Sequence, residues 1–166
     1  MKKILFLFVF AFAFLTSCSK DETTTYYLIR HAEKDRTDKT NRNPNLNEKG
    51  KERAKKWATY FKDIQLNAIY ATNYNRTQQT AAPTANSKNL EVKSYNPSKL
   101  YDSDFKANTK GKSVVIVGHS NTTPDFANAI LGDKRYEWMK DNDNSSLYKI
   151  TLNTHQIKSE IIKVEL

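Results

Sequence analysis

The sequence predicts an α/β sandwich in which a mostly parallel central sheet carries helices on both faces. Two observations predict this class. Short β-rich segments alternate with helical segments along the chain. The clearest strand, residues 113–117, is apolar at consecutive positions from 114 to 117, as expected of a strand that is covered on both faces. The chain of 166 residues has room for one domain with one core.

The first 17 residues differ from the rest in composition and are predicted to be a signal peptide. The basic residues Lys2 and Lys3 precede an apolar run at residues 4–15, which is too short to cross a bilayer as a helix. Residues 15–18 read Leu-Thr-Ser-Cys and resemble a bacterial lipobox, in which Cys18 would carry the lipid. The alternative is an ordinary cleavage site followed by a free thiol. We therefore expect a lipidated tether at residues 18–24 and a folded domain at residues 25–166.

The tether also suggests a location. Residues 20–22 read Lys-Asp-Glu and resemble the signal with which some Gram-negative bacteria place lipoproteins on the outer face of the outer membrane. As a plain run of charges, the same residues indicate only a solvated tether. We therefore expect a lipid-anchored protein of the cell envelope, in the outer membrane, with surface display left open. Because Cys18 is the one cysteine, the domain has no disulfide.

The charge balance favours anionic partners. Without Lys2 and Lys3, 25 of the 27 basic residues remain against 18 acidic ones, which leaves a net charge of +7. Such a charge is compatible with phosphate esters, nucleic acid or lipid head groups. Nucleic acid is not expected, because the basic residues are scattered and form no stripe interleaved with aromatic residues. The sequence does not indicate an oligomeric state.

The amino-terminal half is predicted to contain two strands and two helices. Residues 25–29 form the first strand, and a polar loop at 35–47 leads to a helix that Asn47 can cap. Helical spacing of apolar residues predicts this helix: Ala54, Trp57, Ala58 and Phe61. Residues 68–72 form the second strand. The next helix has about ten residues, and Pro83 is expected to kink or end it.

The carboxyl-terminal half continues the alternation. Its segments are a strand at 90–95, a weakly periodic helix at 97–107, the strand at 113–117, a further helix, and a closing hairpin at 146–152 and 157–164. Thr122 or Thr123 can cap the further helix, with Pro124 in its first turn and Gly132 just past its end. Trp138 is expected to be buried, and His155 to be exposed in the hairpin turn.

Two histidines and two arginines follow three of the predicted strands. Arg30 and His31 follow the first strand, Arg76 the second, and His119 the central one. Ligands of such sheets bind beyond the carboxyl ends of the strands, so we expect these side chains to meet. A neutral imidazole can attack phosphorus and form a phosphohistidine. Two arginines and a second histidine, as imidazolium, would then hold the phosphoryl oxygens without a metal.

These residues lie in four ordered motifs that resemble the histidine phosphatase superfamily, which includes the phosphoglycerate mutases. The motifs are LIRHAE at 28–33, LNEKG at 46–50, YAT leading to RTQQTA at 70–81, and VGHS at 117–120. The resemblance runs from about residue 26 to residue 131 and implies a histidine phosphatase-like fold. It also implies a phosphatase that acts on a small phosphorylated substrate, an ester, an anhydride or a phosphohistidine. His31 would be the nucleophile, while Arg30, Arg76 and His119 form the phosphate pocket. No cofactor is implied.

The general acid is not evident from the motifs. In the family it often follows the second arginine, in a stretch where Asp102 and Asp104 fall here, and Glu33 lies beside the nucleophile. We take Asp102 as the candidate acid, with an ordinary surface carboxylate as the alternative for each of the three. Ala32 departs from the glycine that the family often has at this position.

Two other functions fit parts of the sequence. Residues 118–122, GHSNT, nearly match the nucleophile elbow of serine hydrolases, with Ser120 as nucleophile and His155 later in the chain. That hypothesis leaves Arg30 and Arg76 unexplained, and Thr122 occupies the place of the last glycine. The third possibility is a non-catalytic envelope lipoprotein that binds an anion.

Overall fold

A computed structural model describes residues 22–166, in which six strands and four helices alternate. In chain order the elements are β1 (Thr24–Arg30), α1 (Glu48–Tyr60), β2 (Ala68–Ala71), α2 (Asn75–Lys88), β3 (Val92–Ser94), α3 (Ser103–Thr109), β4 (Ser113–Gly118), α4 (Thr122–Leu131), β5 (Ser146–Leu152) and β6 (Ile157–Lys163). The predicted signal peptide and Cys18 lie outside the described residues. Within residues 22–166, none of the helices has the length and apolar character needed to span a bilayer.

The six strands form one mixed sheet in the order β3-β2-β4-β1-β5-β6. The first four strands of this order run parallel to their neighbours, whereas β5 pairs antiparallel with β1 and β6 antiparallel with β5. The prediction of a mostly parallel sheet is therefore confirmed. The closing hairpin supplies the antiparallel edge, because two strands joined by a short turn must run in opposite directions.

Helices cover both faces of the sheet, because successive strand residues point to opposite sides. Tyr27 and Ile29 of β1 belong to the core cluster that contains Trp57 and Phe61, on the side of α1 and α2. The alternate β1 residues pack in the other cluster, which contains Phe105 of α3 and Phe126 of α4. The two separate cores explain why β4 is apolar at consecutive positions, as its sequence predicts.

Several local predictions about the helix ends are confirmed. The Asn47 side chain caps α1 by accepting a hydrogen bond from the Gly50 amide at 2.9 Å. Gly50 itself lies against the Glu33 backbone so closely that a Cβ would be 2.1 Å from the Glu33 carbonyl oxygen, which explains the glycine of the LNEKG motif. Pro124 lies in the first turn of α4, and Gly132 ends this helix with a φ of 73°.

Three local predictions are wrong. Helix α2 continues through Pro83 to Lys88, because Ala81 and Ala85 on either side of the proline are buried against the sheet. Neither threonine caps α4, because Thr122 lies inside the helix, where its hydroxyl accepts a hydrogen bond from the His119 amide. Trp138 is 66% exposed, and its indole N–H donates to Asp125 at 3.0 Å, so this side chain is hydrogen-bonded at the surface rather than buried.

Candidate active site

Strand register brings the predicted residues to one edge of the sheet. Arg30 at the end of β1 is aligned with Gly118 at the end of β4, and Ala71 at the end of β2 is aligned with Val117. His31 and His119 therefore leave the sheet side by side, with ring centroids 5.4 Å apart. Arg76 in the first turn of α2 places Nη2 3.5 Å from Nδ1 of His119. We refer to Arg30, His31, Arg76 and His119 as the His–Arg cluster.

His31 is oriented by its own backbone and its neighbours. Its amide donates to the Gly118 carbonyl at 2.9 Å, and its carbonyl accepts from the Asn144 side chain at 2.9 Å. Nδ1 of the ring lies 2.7 Å from the Ala32 carbonyl oxygen. Because a carbonyl oxygen can only accept, Nδ1 carries the proton and Nε2 keeps a free lone pair. The ring therefore presents the nitrogen that can act as a nucleophile.

His119 has a complementary arrangement. Its Nε2 lies 2.9 Å from the Thr72 hydroxyl, which in turn donates to the Thr77 hydroxyl at 3.1 Å. Nε2 of His119 is therefore the donor to Thr72, and Nδ1 faces the Arg76 guanidinium. The Tyr74 ring packs edge-on against the imidazole at 5.2 Å and lies 4.4 Å from the Arg76 guanidinium carbon. These contacts fix His119 and Arg76 relative to each other.

Both cluster histidines are neutral near pH 7. Burial, helped by the charge of Arg30, lowers the pKa of His31 to about 3, although the bond to Ala32 opposes this shift. Burial and then Arg76, Arg30 and Lys34 lower the pKa of His119 to about 4. A neutral His31 is competent to attack. The sequence-based expectation of an imidazolium at His119 does not hold for the free protein, although a bound anion would favour that form.

The lowered pKa values predict a pH-dependent stability. In the folded state the two histidines bind protons only near pH 3 to 4, whereas unfolded histidines do so near 6.5. Between these values the unfolded chain binds more protons, so the free energy of unfolding falls as the pH decreases. Each histidine contributes up to about 1.4 kcal/mol per pH unit. The measurement is the free energy of unfolding from urea titrations at about pH 7 and about pH 5. From the higher to the lower pH, it should fall more for the wild type than for a His31→Ala/His119→Ala variant. Equal losses would contradict this linkage.

Arg30 is held by the loop that precedes β5. Its Nη1 donates to the carbonyls of Lys140 and Asp141, each at 2.9 Å, and its Nη2 donates to Oδ1 of Asp141 at 3.0 Å. The Arg30 residue is 3% exposed. Within the described part of the chain, its Nε is buried without a hydrogen-bond partner, and the same is true of Nε of Arg76. Buried donors without a partner are rare in folded proteins, and two of them belong to the His–Arg cluster.

Among residues 22–166, Asp102 forms no hydrogen bond or ion pair with the His–Arg cluster. Asp102 is the N-cap of α3, where its carboxylate accepts from the Phe105 amide at 2.8 Å, and it does not line the cavity that contains His31. Asp104 lies exposed in the first turn of the same helix and does not line that cavity either. The contacts that the structure gives for Asp102 are those of an ordinary helix cap.

Glu33 lines the cavity but is held by a buried arginine. Nε of Arg53 donates to both carboxylate oxygens of Glu33, at 2.9 and 2.8 Å, and Nη2 adds a bond of 2.8 Å. The two side chains are 17% and 7% exposed. Both carboxylate oxygens of Glu33 are therefore occupied by the Arg53 guanidinium. Its role is to tie α1 to the segment that follows β1.

Sequence reasoning missed Arg53, Asp141, Asn144 and Thr72. Arg53 had a detectable signal, because it precedes Ala54 on the face of α1 that Trp57 and Phe61 bury, where an arginine needs a partner. Thr72 immediately follows β2 at the same sheet edge. Asp141 and Asn144 had no local signal, since they lie in an irregular loop more than 100 residues from Arg30 and His31.

The geometry does not support a serine hydrolase. His155 lies in the turn between β5 and β6, next to Leu152, which pairs with Thr24 at the start of β1. Ser120 follows β4 at the opposite edge, about 20 Å away along a seven-residue strand. A nucleophile elbow also needs a strained backbone at its serine. Among residues 22–166, Asn89 is the one non-glycine residue with a positive φ.

The His31 side chain opens into a polar cavity of about 800 Å³. The residues that line it are His31, Glu33, Lys34, Asp35, Arg36, Thr37, Asn47, Lys49, Asp141, Asn142 and Asn144. Across the described range, residues 22–166, no group of three or more His, Cys, Asp or Glu side chains is arranged to hold a metal ion. Three cationic side chains and three carboxylates line this cavity together with three amide side chains.

Comparison with known families agrees with the sequence motifs. A sequence model of the histidine phosphatase superfamily (branch 1) matches residues 26–96. The match contains Arg30, His31 and Arg76, while His119 lies beyond it. No curated protein matches this chain.

Solved structures share the fold. A phosphoglycerate mutase from Bacillus anthracis is 15% identical, with a TM-score of 0.64, and the match covers 86% of this chain and 93% of that one. A protein histidine phosphatase SixA complexed with tungstate is 13% identical, with a TM-score of 0.64 and coverage of 84% and 96%. A mycobacterial glucosyl-3-phosphoglycerate phosphatase is 13% identical, with a TM-score of 0.60 and coverage of 85% and 98%. At these identities the likeness establishes the fold.

Proposed function

Because a sequence model of the histidine phosphatase superfamily matches residues 26–96, we propose that this chain is a member of that superfamily and a metal-independent phosphatase with a covalent phosphohistidine intermediate on Nε2 of His31. The observation that carries the proposal is the free lone pair of Nε2 in a cluster where Arg30 and Arg76 each keep an unpartnered buried Nε. A bound phosphoryl group would satisfy both donors. The tungstate complex of a SixA with the same fold supports an oxyanion ligand.

The reaction has two displacements. In the first, the Nε2 lone pair attacks phosphorus while the bond from phosphorus to the leaving group breaks, and the leaving atom departs with the electron pair and takes up a proton. In the second, water attacks the phosphorus of phospho-His31, and Nε2 leaves with its electron pair as the water loses a proton. Arg30, Arg76 and His119, which takes up a proton from solvent when the anion binds, stabilise the charge on the three equatorial oxygens.

The substrate class follows from the proton supply. The carboxylates of the His31 cavity are engaged, Glu33 with Arg53 and Asp141 with Arg30 and Arg36. The protein therefore suits leaving groups that need little help from a general acid. A phosphoanhydride, a phosphohistidine and an activated ester meet this condition better than a simple alkyl ester. Mutase activity would need a second substrate-holding loop, and the loop at 35–47 is too short to argue strongly for one.

The role of Asp102 as general acid can be tested with two esters. If Asp102 donates the proton, Asp102→Asn slows hydrolysis of propyl phosphate about 10²–10⁴-fold and barely affects p-nitrophenyl phosphate. From its position as the α3 cap we expect both rates to stay close to wild type, because Asn also caps helices well. The measurement is kcat/KM for each ester. A selective loss on propyl phosphate would return the role of acid to Asp102.

Metal independence is tested on the purified domain, residues 22–166, stripped of divalent ions. We expect hydrolysis of p-nitrophenyl phosphate to be unchanged by a chelator, since Arg30 and Arg76 already supply the positive charge that a metal would give and would repel a cation. Loss of activity in the chelator, with recovery on adding a divalent ion, would contradict the proposal.

We also propose that the protein is a lipoprotein of the cell envelope, anchored through Cys18. The support is the sequence pattern at residues 1–18, in which a short apolar run ends at the one cysteine. The acyl chains would supply the membrane affinity, at about 0.8 kcal/mol per buried CH₂. The check is uptake of a labelled fatty acid by the full chain and by Cys18→Ser, and an unlabelled wild type in the soluble fraction would contradict anchoring.

A further inference from the structure

The two edges of the sheet differ in length. Strand β3 forms one edge with three residues, whereas β6 forms the other edge with seven. Within residues 22–166, no strand pairs with the outer side of β6. A long edge strand presents backbone amides and carbonyls to which a further strand can bind, and proteins usually shorten, cover or interrupt such an edge. The outer side of β6 is therefore the part of the sheet where another strand can pair.

The hydrogen bonds of the closing hairpin identify the backbone groups on this outer side. The Asn153 amide donates to the Gln156 carbonyl at 3.1 Å, so these two opposite residues form a hydrogen-bonded pair. Such pairs alternate with non-hydrogen-bonded pairs along an antiparallel ladder. Every second residue of β6 therefore directs its backbone amide and carbonyl away from β5. In the register of the hairpin these residues are Ile157, Ser159, Ile161 and Lys163.

The side chains of β6 form a pattern that is complementary to itself. Around Ser159 the strand reads Ile-Lys-Ser-Glu-Ile, so an isoleucine lies at the same distance on either side and opposite charges flank the serine. Ile157 and Ile161 are 53% and 47% exposed, and their even spacing places both on the same face of the sheet. Lys158 and Glu160 are exposed on the other face. Apolar and charged side chains are thus sorted to opposite faces.

Antiparallel pairing of two copies about a two-fold axis at Ser159 fits this pattern. Ile157 then lies opposite Ile161 of the second copy, and Lys158 lies opposite Glu160 of the second copy. The outward backbone groups of one strand meet those of the other. Lys158 and Glu160 form the non-hydrogen-bonded pairs, in which opposed side chains are closest. Directly opposed unlike charges and apolar side chains both stabilise a pair of strands.

Neighbouring registers that also bring the outward groups together are less favourable. An axis at Lys158 or at Glu160 places two like charges directly opposite each other, which destabilises a pair of strands. An axis at Ile161 places Glu160 opposite Ile162 of the second copy, so that neither contact is complementary. Among these registers, the axis at Ser159 is the one that opposes unlike charges.

The existing contacts of the charged residues are compatible with this pairing. One carboxylate oxygen of Glu160 accepts from Nζ of Lys149 on β5 at 3.0 Å. A carboxylate has two oxygens, so Glu160 can also accept from Lys158 of a second copy. In the described range, residues 22–166, the ion pairs do not include Lys158. Pairing of two strands would therefore give Lys158 an acidic partner.

We propose that β6 pairs with β6 of a second copy about a two-fold axis at Ser159, which gives an isologous dimer with one continuous sheet. Arg135 lies beside this axis, where its guanidinium donates to the Ser159 hydroxyl at 2.8 Å, and it keeps Asp133 as its ion-pair partner in each copy. Each copy retains its own His–Arg cluster, so this inference does not depend on the proposed function.

The test measures molecular mass against concentration by analytical ultracentrifugation of residues 22–166. This segment contains all strands of the described sheet and both core clusters, and it lacks the apolar run at residues 4–15, which would associate by itself. We expect a reversible rise from the mass of one chain to the mass of two. The mass of one chain at every concentration up to the millimolar range would overturn the inference.

Charge reversal tests the register. Lys158→Glu places two carboxylates opposite each other, and Glu160→Lys places two ammonium groups opposite each other. Each variant alone should therefore dimerise about tenfold or more weakly than the wild type. An equimolar mixture of the two variants restores both pairs of unlike charges and should recover the dimer. Circular dichroism checks that each variant is folded, and a mixture that associates no better than its components would contradict the register.

The matched control is Lys93→Glu, the same charge reversal on β3 at the other edge of the sheet, where the lysine is exposed. It should dimerise as the wild type does. If Lys93→Glu weakened the dimer and Lys158→Glu did not, the inference would be wrong.

A cross-link locates the axis without changing a charge. The Cα atoms of a hydrogen-bonded pair are about 5.5 Å apart, and residues 22–166 contain no cysteine because Cys18 is the one in the chain. A short bifunctional thiol reagent should therefore link two copies of Ser159→Cys and leave Lys93→Cys as single chains. Absence of the Ser159→Cys link at concentrations where the wild type is dimeric would contradict the axis at Ser159.

Discussion

Replacing His31 by Ala is expected to abolish turnover, with a loss on the order of 10⁴-fold or more, the scale observed when a nucleophile is removed from an enzyme. The reason is the free Nε2 lone pair, fixed by the bond of 2.7 Å between Nδ1 and the Ala32 carbonyl. The His31 side chain is buried. The backbone hydrogen bonds of this residue to Gly118 and to the Asn144 side chain survive the substitution, so the variant should fold. The measurement is kcat/KM with p-nitrophenyl phosphate, with circular dichroism to confirm folding.

The control for this prediction is Ser120→Ala. Ser120 follows His119 in the segment after β4. Its backbone carbonyl accepts a hydrogen bond from the Met139 amide at 2.9 Å, and this bond does not involve the side-chain hydroxyl. Activity should therefore stay within a few-fold of the wild type. If Ser120→Ala were inactive while His31→Ala kept its activity, the serine hydrolase would be the correct interpretation. Absence of turnover in the wild type itself would favour a protein that binds an anion without catalysis.

Arg53→Met is expected to destabilise the fold by about 3–5 kcal/mol, because it leaves the Glu33 carboxylate buried without its partner. Arg53 is 5% exposed, and its guanidinium also donates to the Val164 carbonyl near the carboxyl end of the chain at 3.3 Å. Glu33→Gln should be destabilising for the same reason, and it should slow propyl phosphate and p-nitrophenyl phosphate equally. The measurement is the free energy of unfolding from urea titration.

An exposed ion pair on the same helix provides the control. Glu48 and Lys51 are 2.7 Å apart, with side chains 85% and 57% exposed. Glu48→Gln should leave the stability close to that of the wild type, since solvent screens such pairs. Equal effects of Glu48→Gln and Arg53→Met would show that burial of the Glu33–Arg53 pair does not determine its contribution. A selective loss on propyl phosphate in Glu33→Gln would identify Glu33 as the acid.

The fold class and the His–Arg cluster could be predicted because their signals are local or periodic. The continuous apolar run of β4 and the helical spacing of Trp57 and Phe61 reflect burial on two faces, which the two core clusters confirm. Arg30 ends β1, His31 directly follows it, and His119 directly follows β4, so the pairing of the two strands brings them to one edge. The superfamily suggested by the motifs agrees with the match of its sequence model to residues 26–96.

The remainder of the site depends on contacts between distant parts of the chain. The loop that contacts Arg30 has no periodicity. Its backbone carbonyls accept hydrogen bonds from the guanidinium, and because every residue has a carbonyl, the sequence carries no signal for these bonds. The path of α2 through Pro83 depends on burial of its neighbours, which outweighs the local preference of proline. Asp102 matches the family only by its distance along the chain from Arg76, and such spacing does not determine which groups its carboxylate contacts.

The central claim, a phosphoryl group carried by His31, is tested most directly by trapping the intermediate. The domain of residues 22–166 is mixed with a ³²P-labelled phosphoryl donor, quenched within the first turnover in alkali, digested, and the labelled peptide is sequenced by mass spectrometry. We predict label that is stable in alkali and lost in acid, as expected of a phosphoramidate, on His31 in the wild type and absent from His31→Ala. Label on Ser120 or on another residue, or turnover with no labelled protein at any quench time, would contradict the account.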